Sequence, residues 1–354
     1  MDRSVPPDKG VKRWKCAKFI YQFCRYTAYN PAKRGCRKAG SEQMTGIATM
    51  KLDHLAGREV GTSVLLKELA RGGMAVIFVA YQKTLKRRIA VKILPKSLLT
   101  DVNAEFFRQE AEAAAILSHP NIIPVYEVGD TGEFLFFTMQ LVKGKSLSQY
   151  IKMVAKNPLP SKRFLPLDAT LRIVTEVLDA LDYAHQQEII HRDIKPANIL
   201  IESHTKRPIV TDFGLAKVSR GPEQDSSMLL GTPIYMAPEQ IRQAPVDPRT
   251  DIYATGTMLF EMLVTRLPFP AVKNAKELLK AKLTLKDRLF KKRPSQLNPA
   301  VGEELDRIVL KATAYRQEDR YGSAREFKRE LEKYRTRRLE EAAARRQNVG
   351  TQHH

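Results

Sequence analysis

The 354-residue chain is long enough to bury a sizeable core in one large domain or two lobes, and its content of 43% hydrophobic and 28% charged residues is ordinary for a globular protein. No stretch approaches about 18 uncharged apolar residues, and the start of the chain lacks the pattern of a cleaved leader. We therefore expect neither secretion nor a membrane span, and hence a cytoplasmic location. The net charge of +21 favours anionic partners but says nothing about fold.

The first 60 residues hold 13 Lys or Arg against 5 Asp or Glu, together with Pro and Gly, and predict a disordered basic extension. Within it, residues 11–29 interleave aromatic and basic side chains, a pattern that can hold a segment at an anionic membrane surface. The alternative is a solvated tail without membrane contact. Cys16, Cys24 and Cys36 are spaced by 8 and 12 residues, which fits no common zinc or redox pattern and predicts reduced thiols.

The pattern changes near Gly61. Runs rich in Val, Ile and Phe predict β-strands, namely "SVLLKELARGGMAVIFVAYQK", "RRIAVKIL", "NIIPVYEVG" and "FLFFTMQLV". Between the second and third of these runs, "NAEFFRQEAEAAAILS" consists of strong helix formers and predicts a helix capped by Asn103. This part of the chain therefore predicts a small sheet with one helix.

Beyond Gly144 the patterns indicate helices. In "DATLRIVTEVLDALDYAH", apolar residues recur at steps of three and four residues, which predicts a buried helix. Near the far end, Ser323 and Glu326 form the pattern of a capping box at the start of another helix. After Tyr334 the apolar face of that helix fades, so we expect its last turns to project into solvent.

Polar side chains that suit phosphate chemistry lie just after the buried helix. Asp193 and Asn198 lie in "HRDIKPANIL", and Asp212 follows fourteen residues after Asn198, in "IVTDFG". Two carboxylates and an amide oxygen are hard ligands that suit Mg²⁺ bound together with phosphate. These three residues therefore predict a metal-assisted phosphate site.

In this order, the motifs "AVK" at 90–92, "HRDIKPAN" at 191–198, "DFG" at 212–214 and "APE" at 237–239 resemble the signature set of the eukaryotic-type protein kinases. The "GGMA" loop, "GTPIYMAPE" and "QEDRY" are most similar to the bacterial Hanks-type serine/threonine kinases. The resemblance covers about residues 61–335. It implies an α+β, two-lobed fold, with a small antiparallel-sheet N-lobe over about 61–139, a mainly helical C-lobe over about 144–335, and a basic helical tail over 336–354.

The resemblance also implies roles for the polar residues. Asp193 would orient the substrate hydroxyl and accept its proton, and Lys195 would contact the γ-phosphate of ATP, as in kinases that modify Ser or Thr. Asn198 and Asp212 would hold Mg²⁺. Lys92, paired with Glu110, would hold the α- and β-phosphates. The implied activity is transfer of the ATP γ-phosphate to Ser or Thr hydroxyls of protein substrates, with autophosphorylation through a transient dimer and without specific nucleic-acid binding.

The glycine-rich loop departs from the kinase pattern. The three glycine positions of G-x-G-x-x-G fall on Ala70, Gly72 and Ala75, so only the middle glycine is kept. Alanine at the first position removes freedom at a tight turn. This departure is the best argument for the alternative, a nucleotide-binding pseudokinase that acts as a scaffold. The residues expected around the nucleotide are Leu69, Ala70, Arg71, Gly72, Gly73, Met74, Ala75, Val76 and Ile77, with the backbone of Gln140 and Val142 at the hinge.

Regulation is expected between Asp212 and Glu239. Arg192 precedes the catalytic aspartate, and its guanidinium would attract a phosphate on Ser226 or Ser227; the alternative is that both serines are ordinary loop residues. Thr232 is expected to shape the substrate site. The resemblance further implies that Asp251 supports the backbone of the catalytic loop, and that Glu239 and Arg320 form a structural ion pair in the large lobe.

Overall fold

The computed structural model describes residues 53–72, 75–213 and 233–350. Several of the sequence predictions fall outside these ranges and stay predictions: the disordered extension, the three reduced thiols, membrane contact through 11–29, and the roles of Gly73, Met74, Ser226, Ser227 and Thr232. Within the ranges described, no helix is both long enough and apolar enough to cross a membrane.

The N-lobe is built on one antiparallel sheet, as predicted. Its strands lie in the order β1-β2-β3-β4-β6-β5. Side chains alternate between the two faces of each strand, and one face packs into an apolar cluster that includes Leu65, Phe78 and Phe136. The strands are β1 (Glu59–Val60), β2 (Ser63–Arg71), β3 (Val76–Gln82), β4 (Arg87–Pro95), β5 (Val125–Asp130) and β6 (Phe134–Met139).

The single helix of the N-lobe, α1 (Asp101–Ile116), packs against the other face of the sheet through Phe107 and Ala111. The prediction that Asn103 caps this helix is wrong. The amide of Ala104 already donates to the carbonyl of Thr100 at 3.0 Å, so the first helical turn begins before Asn103. The side chain of Phe107 stacks on Phe137 of β6, with 5.1 Å between ring centroids, which fixes α1 against the sheet.

The C-lobe begins after the connection that follows β6. A small second sheet has the order β7-β8-β9, and helix α3 is buried along its predicted apolar face, including Leu171, Val174, Leu178 and Leu181. The elements here are β7 (Gly144–Ser146), α2 (Leu147–Ala155), α3 (Leu167–Gln186), β8 (Ile199–Glu202) and β9 (Pro208–Val210).

Five further helices complete the C-lobe within the described ranges. They are α4 (Pro238–Ile241), α5 (Arg249–Val264), α6 (Ala275–Leu285), α7 (Glu303–Ala312) and α8 (Ala324–Gly350). Helix α5 is buried on nearly every side and forms the centre of the lobe. This helical lobe beside an antiparallel sheet confirms the predicted α+β architecture.

Helix α8 starts close to the predicted capping box. The Ser323 hydroxyl accepts from the amide of Glu326 at 3.1 Å, while the Glu326 carboxylate accepts from the amide of Gly322 at 2.7 Å, one residue earlier than a standard box. The helix crosses the predicted boundary at residue 335. Beyond Tyr334, Leu339 is 53% exposed, as expected, yet Arg338 still pairs with Asp168 of α3 at 2.5 Å. The predicted projection into solvent is therefore only partial.

Candidate active site

The loop that follows α3 is held in shape by a buried carboxylate on α5. Asp251 accepts hydrogen bonds from the backbone amides of His191 and Arg192 at 2.8 and 2.7 Å, and from Nε2–H of His185 at 2.8 Å. Arg192 has a φ of 64°, a strained conformation for a residue with a side chain. Burial raises the pKa of Asp251, but the hydrogen bonds and charges of His185 and His191 together outweigh it and keep the pKa below its usual value. Asp251 thus supports the catalytic-loop backbone, as predicted.

Three predicted residues meet on this loop. Nζ of Lys195 lies 2.8 Å from Oδ2 of Asp193, and Nδ2 of Asn198 donates to the backbone carbonyl of Asp193 at 3.0 Å and to its Oδ2 at 3.1 Å. The Asp193 side chain is only 11% exposed. Because two donors aim at one oxygen, the carboxylate is fixed in orientation before any substrate binds.

His191 connects this loop to the segment that contains Asp212. Its Nδ1 accepts from the amide of Asp193 at 3.2 Å, so Nε2 carries the proton and donates to the carbonyl of Thr211 at 3.0 Å. Its ring contacts the ring of Phe213, with 4.6 Å between centroids. Burial lowers the pKa of His191, which keeps the ring neutral. Sequence reasoning gave this histidine no role, although it lies within the quoted motif.

A second group of charged residues joins the two lobes. Lys92 on β4 places Nζ 2.5 Å from Oε1 of Glu110 on α1 and 3.0 Å from Oδ1 of Asp212. The predicted pair of Lys92 with Glu110 is therefore formed. Asp212 also contacts Lys92, a contact that the sequence analysis did not foresee.

The pKa values show how these three groups divide the charge. Burial lowers the pKa of Lys92, but Asp212 and Glu110 outweigh it and raise the pKa above its usual value. Burial raises the pKa of Glu110 to about 7 although Lys92 opposes the shift. Burial also raises the pKa of Asp212, but Lys92 outweighs it and lowers the pKa to about 2. Lys92 therefore favours the charged form of Asp212, whereas burial favours the protonated form of Glu110.

The residues predicted to hold Mg²⁺ are brought together by the pairing of β8 and β9. Ile199 lies opposite Val210, and the amide of Thr211 donates to the carbonyl of Asn198 at 2.9 Å. Since Nδ2 of Asn198 is used by Asp193, its Oδ1 is the atom left for a cation. The Asp212 side chain is 38% exposed, and Lys92 contacts only its Oδ1. The donor set, an amide oxygen and a charged carboxylate, fits Mg²⁺.

Apolar side chains line the cleft beside these groups. Ile77, Ala90 and Met139 come from the N-lobe sheet, Val142 from the connection between the lobes, and Leu200 from the C-lobe, all in one cluster. Such walls suit the flat faces of an adenine ring. Leu200 and Ala90 were not among the residues predicted around the nucleotide.

The comparisons with known proteins agree with this geometry. The family model described as "Protein kinase domain" matches residues 63–331, more than half of the chain. The chain belongs to the protein kinase domain family.

Two curated relatives and one solved structure illustrate the similarity. The chain is 36% identical over 284 residues to serine/threonine-protein kinase PrkC of Bacillus subtilis, covering 78% of this chain and 41% of that protein. It is 34% identical to tyrosine-protein kinase MasK of Myxococcus xanthus, covering 80% of this chain and 44% of that protein. The crystal structure of the Mycobacterium tuberculosis PknI kinase domain matches with a TM-score of 0.59 and 27% identity, covering 78% of this chain and 98% of that chain. The chain thus spans less than half the length of these two curated relatives.

The hinge of this kinase domain follows Met139. The amide of Gln140 donates to the carbonyl of Pro124 at 3.1 Å, so its carbonyl oxygen is the backbone atom left to face a nucleotide. Val142 packs against the apolar cluster of the cleft. This arrangement is compatible with the predicted roles of Gln140 and Val142 at an adenine edge.

The altered glycine-rich loop has a simple backbone explanation. Neither Ala70 nor Ala75 is among the described residues with positive φ, and Gly72 also lies outside the left-handed region. Ala70 is extended in β2, and the amide of Gly72 donates to the carbonyl of Ala75 at 2.9 Å across the turn. Alanine therefore fits both altered positions without backbone strain, which removes the objection that the loss of glycine raised.

The other described residues of this loop divide between the two faces of the sheet. Ile77 packs toward the cleft, whereas Val76 is fully buried in the opposite cluster with Leu65, so its side chain belongs to the sheet core. Leu69 is 51% exposed. Arg71 forms an ion pair with Glu68 at 2.5 Å on β2. Of these side chains, Ile77 is the one that packs against the cluster shared with Ala90 and Met139.

A buried ion pair ties the C-lobe together. Arg320 forms two bonds with Glu239, at 2.7 and 2.8 Å, and both side chains are 0% exposed. The guanidinium also donates to the backbone carbonyls of Ala314, Arg249 and Tyr315 at 2.8, 3.0 and 3.1 Å. The predicted pair is therefore formed, and it anchors two further backbone segments besides α4, one at Arg249 and one at Ala314 and Tyr315.

Proposed function

We propose that this protein is a serine/threonine protein kinase that transfers the γ-phosphate of ATP to hydroxyls of protein substrates. The observation that carries the proposal is one cleft that combines the fixed carboxylate of Asp193 with the Lys92, Glu110 and Asp212 group. The Asp193 carboxylate supplies an acceptor for the hydroxyl proton, and the group of Lys92, Glu110 and Asp212 supplies charges that can bind a triphosphate and its metal. Family membership supports the same reaction.

Each side chain has a task that follows from its position. Asp193 orients the attacking hydroxyl and accepts its proton, and Lys195, held beside it, places a positive charge near the transferred phosphoryl group. Lys92 binds the α- and β-phosphates, and Glu110 holds its ammonium in place. Asn198 and Asp212 would hold Mg²⁺, which supplies neutralisation of phosphate charge when bound. The apolar cleft residues hold adenine and exclude water from its faces.

The pseudokinase alternative gains nothing from the structure. A scaffold that only binds nucleotide has no need for a carboxylate fixed by two donors at the position of Asp193. The contact between Lys92 and Glu110 also supports an active enzyme, because a lysine ammonium without a partner would not hold the phosphates in the position that transfer requires.

The acceptor residue is proposed to be Ser or Thr because Lys195 lies two residues after Asp193, as in kinases of that class, and because PrkC carries that name. MasK is named a tyrosine kinase, so the assay must separate the two classes. Acid hydrolysis of phosphorylated substrate followed by phosphoamino-acid separation does so. Phosphotyrosine as the main product would reject the proposed acceptor while leaving the kinase assignment intact.

Lys92→Met should lower turnover by at least about a hundredfold, since it removes the positive charge that positions phosphate. Incubation of purified protein with labelled ATP, Mg²⁺ and a generic Ser/Thr substrate measures the effect. Arg88→Met is a matched control, because Arg88 is exposed on the same strand. Activity of Lys92→Met within threefold of the parent would contradict the assignment.

We also propose that phosphate on Ser226 or Ser227 stimulates the enzyme through Arg192, and that Thr232 shapes the substrate site. The support is positional, because the backbone of Arg192 is fixed next to Asp193. Active protein should carry phosphate on one of these serines, and Ser226→Ala/Ser227→Ala should be slower. Unmodified protein with full activity, measured by mass spectrometry and rate assay, would reject this regulation.

We further propose that autophosphorylation proceeds through a transient dimer. In that case the specific rate of autophosphorylation rises with protein concentration.

A further inference from the structure

A dense band of positive charge surrounds helix α6. Residues 273–293 contain nine Lys or Arg against two Asp or Glu, a net charge of +7 out of +21 for the whole chain. One of the nine, Lys282, is buried, and the other eight are exposed. We call these eight the basic face: Lys273, Lys276, Lys280, Lys286, Arg288, Lys291, Lys292 and Arg293.

The basic face lies opposite the buried side of α6. Lys276 and Lys280 are one helical turn apart and share a face, while Leu278 and Lys282, which are also one turn apart, face the protein. After the helix, Leu289 is buried while its basic neighbours stay in solvent. The helix periodicity and the burial of Leu289 therefore leave the side chains of the basic face in solvent, where they form one charged surface.

The two acidic residues within this stretch are occupied by backbone groups. The Glu277 carboxylate accepts from the amide of Lys273 at 2.8 Å, and the Asp287 carboxylate accepts from the amide of Tyr315 at 2.7 Å. In the ranges that the structure describes, no member of the basic face has a carboxylate within 4.0 Å. The positive charge is therefore not neutralised by these ranges.

Two basic residues on α8 behave differently. Arg325 pairs with Asp182 at 2.8 Å, and Arg338 pairs with Asp168 at 2.5 Å. These two cations thus have carboxylate partners on the neighbouring helix α3 and contribute to the packing of the lobe. The contrast indicates that the basic face serves a contact outside the described part of the chain.

A buried lysine links α6 to the substrate side of the C-lobe. Nζ of Lys282 donates to the carbonyls of Ile234 and Met236 at 2.6 and 2.7 Å. These two residues immediately precede α4, which begins at Pro238, and belong to the segment between Asp212 and Glu239. The Lys282 side chain is 1% exposed. Helix α6 is therefore fastened directly to the segment that, under the proposed function, receives the substrate.

A cavity of about 270 Å³ opens beside the basic face. Lys286 and Asp287 line it together with apolar groups such as Leu289, Phe290 and Leu310. The cavity has room for an apolar side chain, and its lining also includes charged groups, among them Lys282 and Asp319. The combination fits an acidic polypeptide that carries an apolar residue better than it fits a phosphodiester backbone, which has no apolar side chain to place there.

We propose that the basic face docks an acidic segment of the protein substrate, with one apolar side chain of that segment in the neighbouring cavity. The inference rests on the proposed kinase function and names the substrate class. Charge complementarity selects substrates whose acceptor Ser or Thr lies near Asp and Glu residues. The contact of Lys282 with Ile234 and Met236 places the docked segment next to the acceptor site.

The test compares two synthetic peptides that share one Ser/Thr acceptor core. One carries an extension of Asp and Glu with a single Leu, and the other has Asn and Gln in place of the acids. For the parent enzyme, kcat/KM should be about tenfold higher for the acidic peptide, mainly through KM. Lys276→Glu/Lys280→Glu should abolish this ratio. High salt should shrink it, because the Debye length falls to about 3 Å at 1 M.

A control variant makes the same change of net charge elsewhere. Arg329 and Lys333 are exposed on α8, and Arg329→Glu/Lys333→Glu should keep the peptide preference of the parent. Equal kcat/KM for both peptides with the parent enzyme would overturn the docking proposal while the kinase assignment stands. Phosphorylation of neither peptide, nor of any generic substrate, would instead reject the proposed function. If an oligonucleotide binds the parent and not Lys276→Glu/Lys280→Glu, while the peptides show no preference, the face binds nucleic acid and the proposal is wrong.

Discussion

Asp193→Asn should lower turnover by at least about a hundredfold while the protein stays folded, since it removes the group that accepts the proton and leaves core packing unchanged. The hydrogen bonds of Asp193 also determine how an asparagine would fit at this position. Oδ2 of Asp193 accepts from both Lys195 and Asn198, and an amide NH₂ at that position would face two donors. With its amide oxygen toward these donors, the asparagine side chain keeps both hydrogen bonds but places its NH₂ group where the second carboxylate oxygen was, so it offers no charged oxygen to accept the hydroxyl proton.

The measurement pairs initial rates of phosphoryl transfer with thermal unfolding and with binding of an ATP analogue. Binding should persist, because Lys92 and Asp212 are unchanged. Asp182→Asn is the matched control, since Asp182 lies on α3 and pairs with Arg325, away from the loop; its turnover should stay within about twofold of the parent. A fully active Asp193→Asn enzyme would exclude Asp193 as the proton acceptor.

Arg320→Met should destabilise the protein by about 3–5 kcal/mol, because it leaves the carboxylate of Glu239 buried without its charge partner. The same change removes donors from the backbone carbonyls of Ala314, Arg249 and Tyr315. Thr250 would remain the one side-chain donor to Glu239 that the structure shows, at 2.8 Å. Urea unfolding followed by circular dichroism measures the loss of free energy.

Lys311→Met provides the comparison for that experiment. Lys311 pairs with Glu326 at 3.2 Å, but the two side chains are 46% and 50% exposed, so the expected loss is about 0–1 kcal/mol. If Arg320→Met cost no more than this control, the buried pair would not be the anchor of the C-lobe that its contacts indicate.

The catalytic loop was predictable from sequence because its residues are close along the chain. Asp193, Lys195 and Asn198 span six residues, so any compact loop brings their side chains together. The pair of Lys92 with Glu110 was predictable only through the family resemblance, since 18 residues and a change from strand to helix separate them. The contact of Lys92 with Asp212 spans 120 residues and was missed.

Features that depend on distant backbone could not be read from the local pattern. Lys282 lies among exposed lysines on an amphipathic helix, and nothing near it in sequence marks it as buried. Its burial depends on two carbonyls that lie 48 and 46 residues earlier. Burial lowers its pKa to about 7, and nearby Arg320 acts in the same direction. The prediction that Asn103 caps α1 failed for a different reason: Thr100, a residue type that also suits the start of a helix, lies three residues earlier, and the first turn begins there.

The packing of α3 against α8 has a consequence for synthesis on the ribosome. The ion pair of Arg325 with Asp182 joins residues 143 positions apart, and Phe327 and Leu331 of α8 share a buried cluster with the apolar face of α3. At a translation rate of about 5–20 residues per second, α3 waits about 7–30 s for this partner to be made. During that interval part of the apolar face of α3 lacks its final partner, so we expect the nascent chain to expose apolar surface that chaperones can bind.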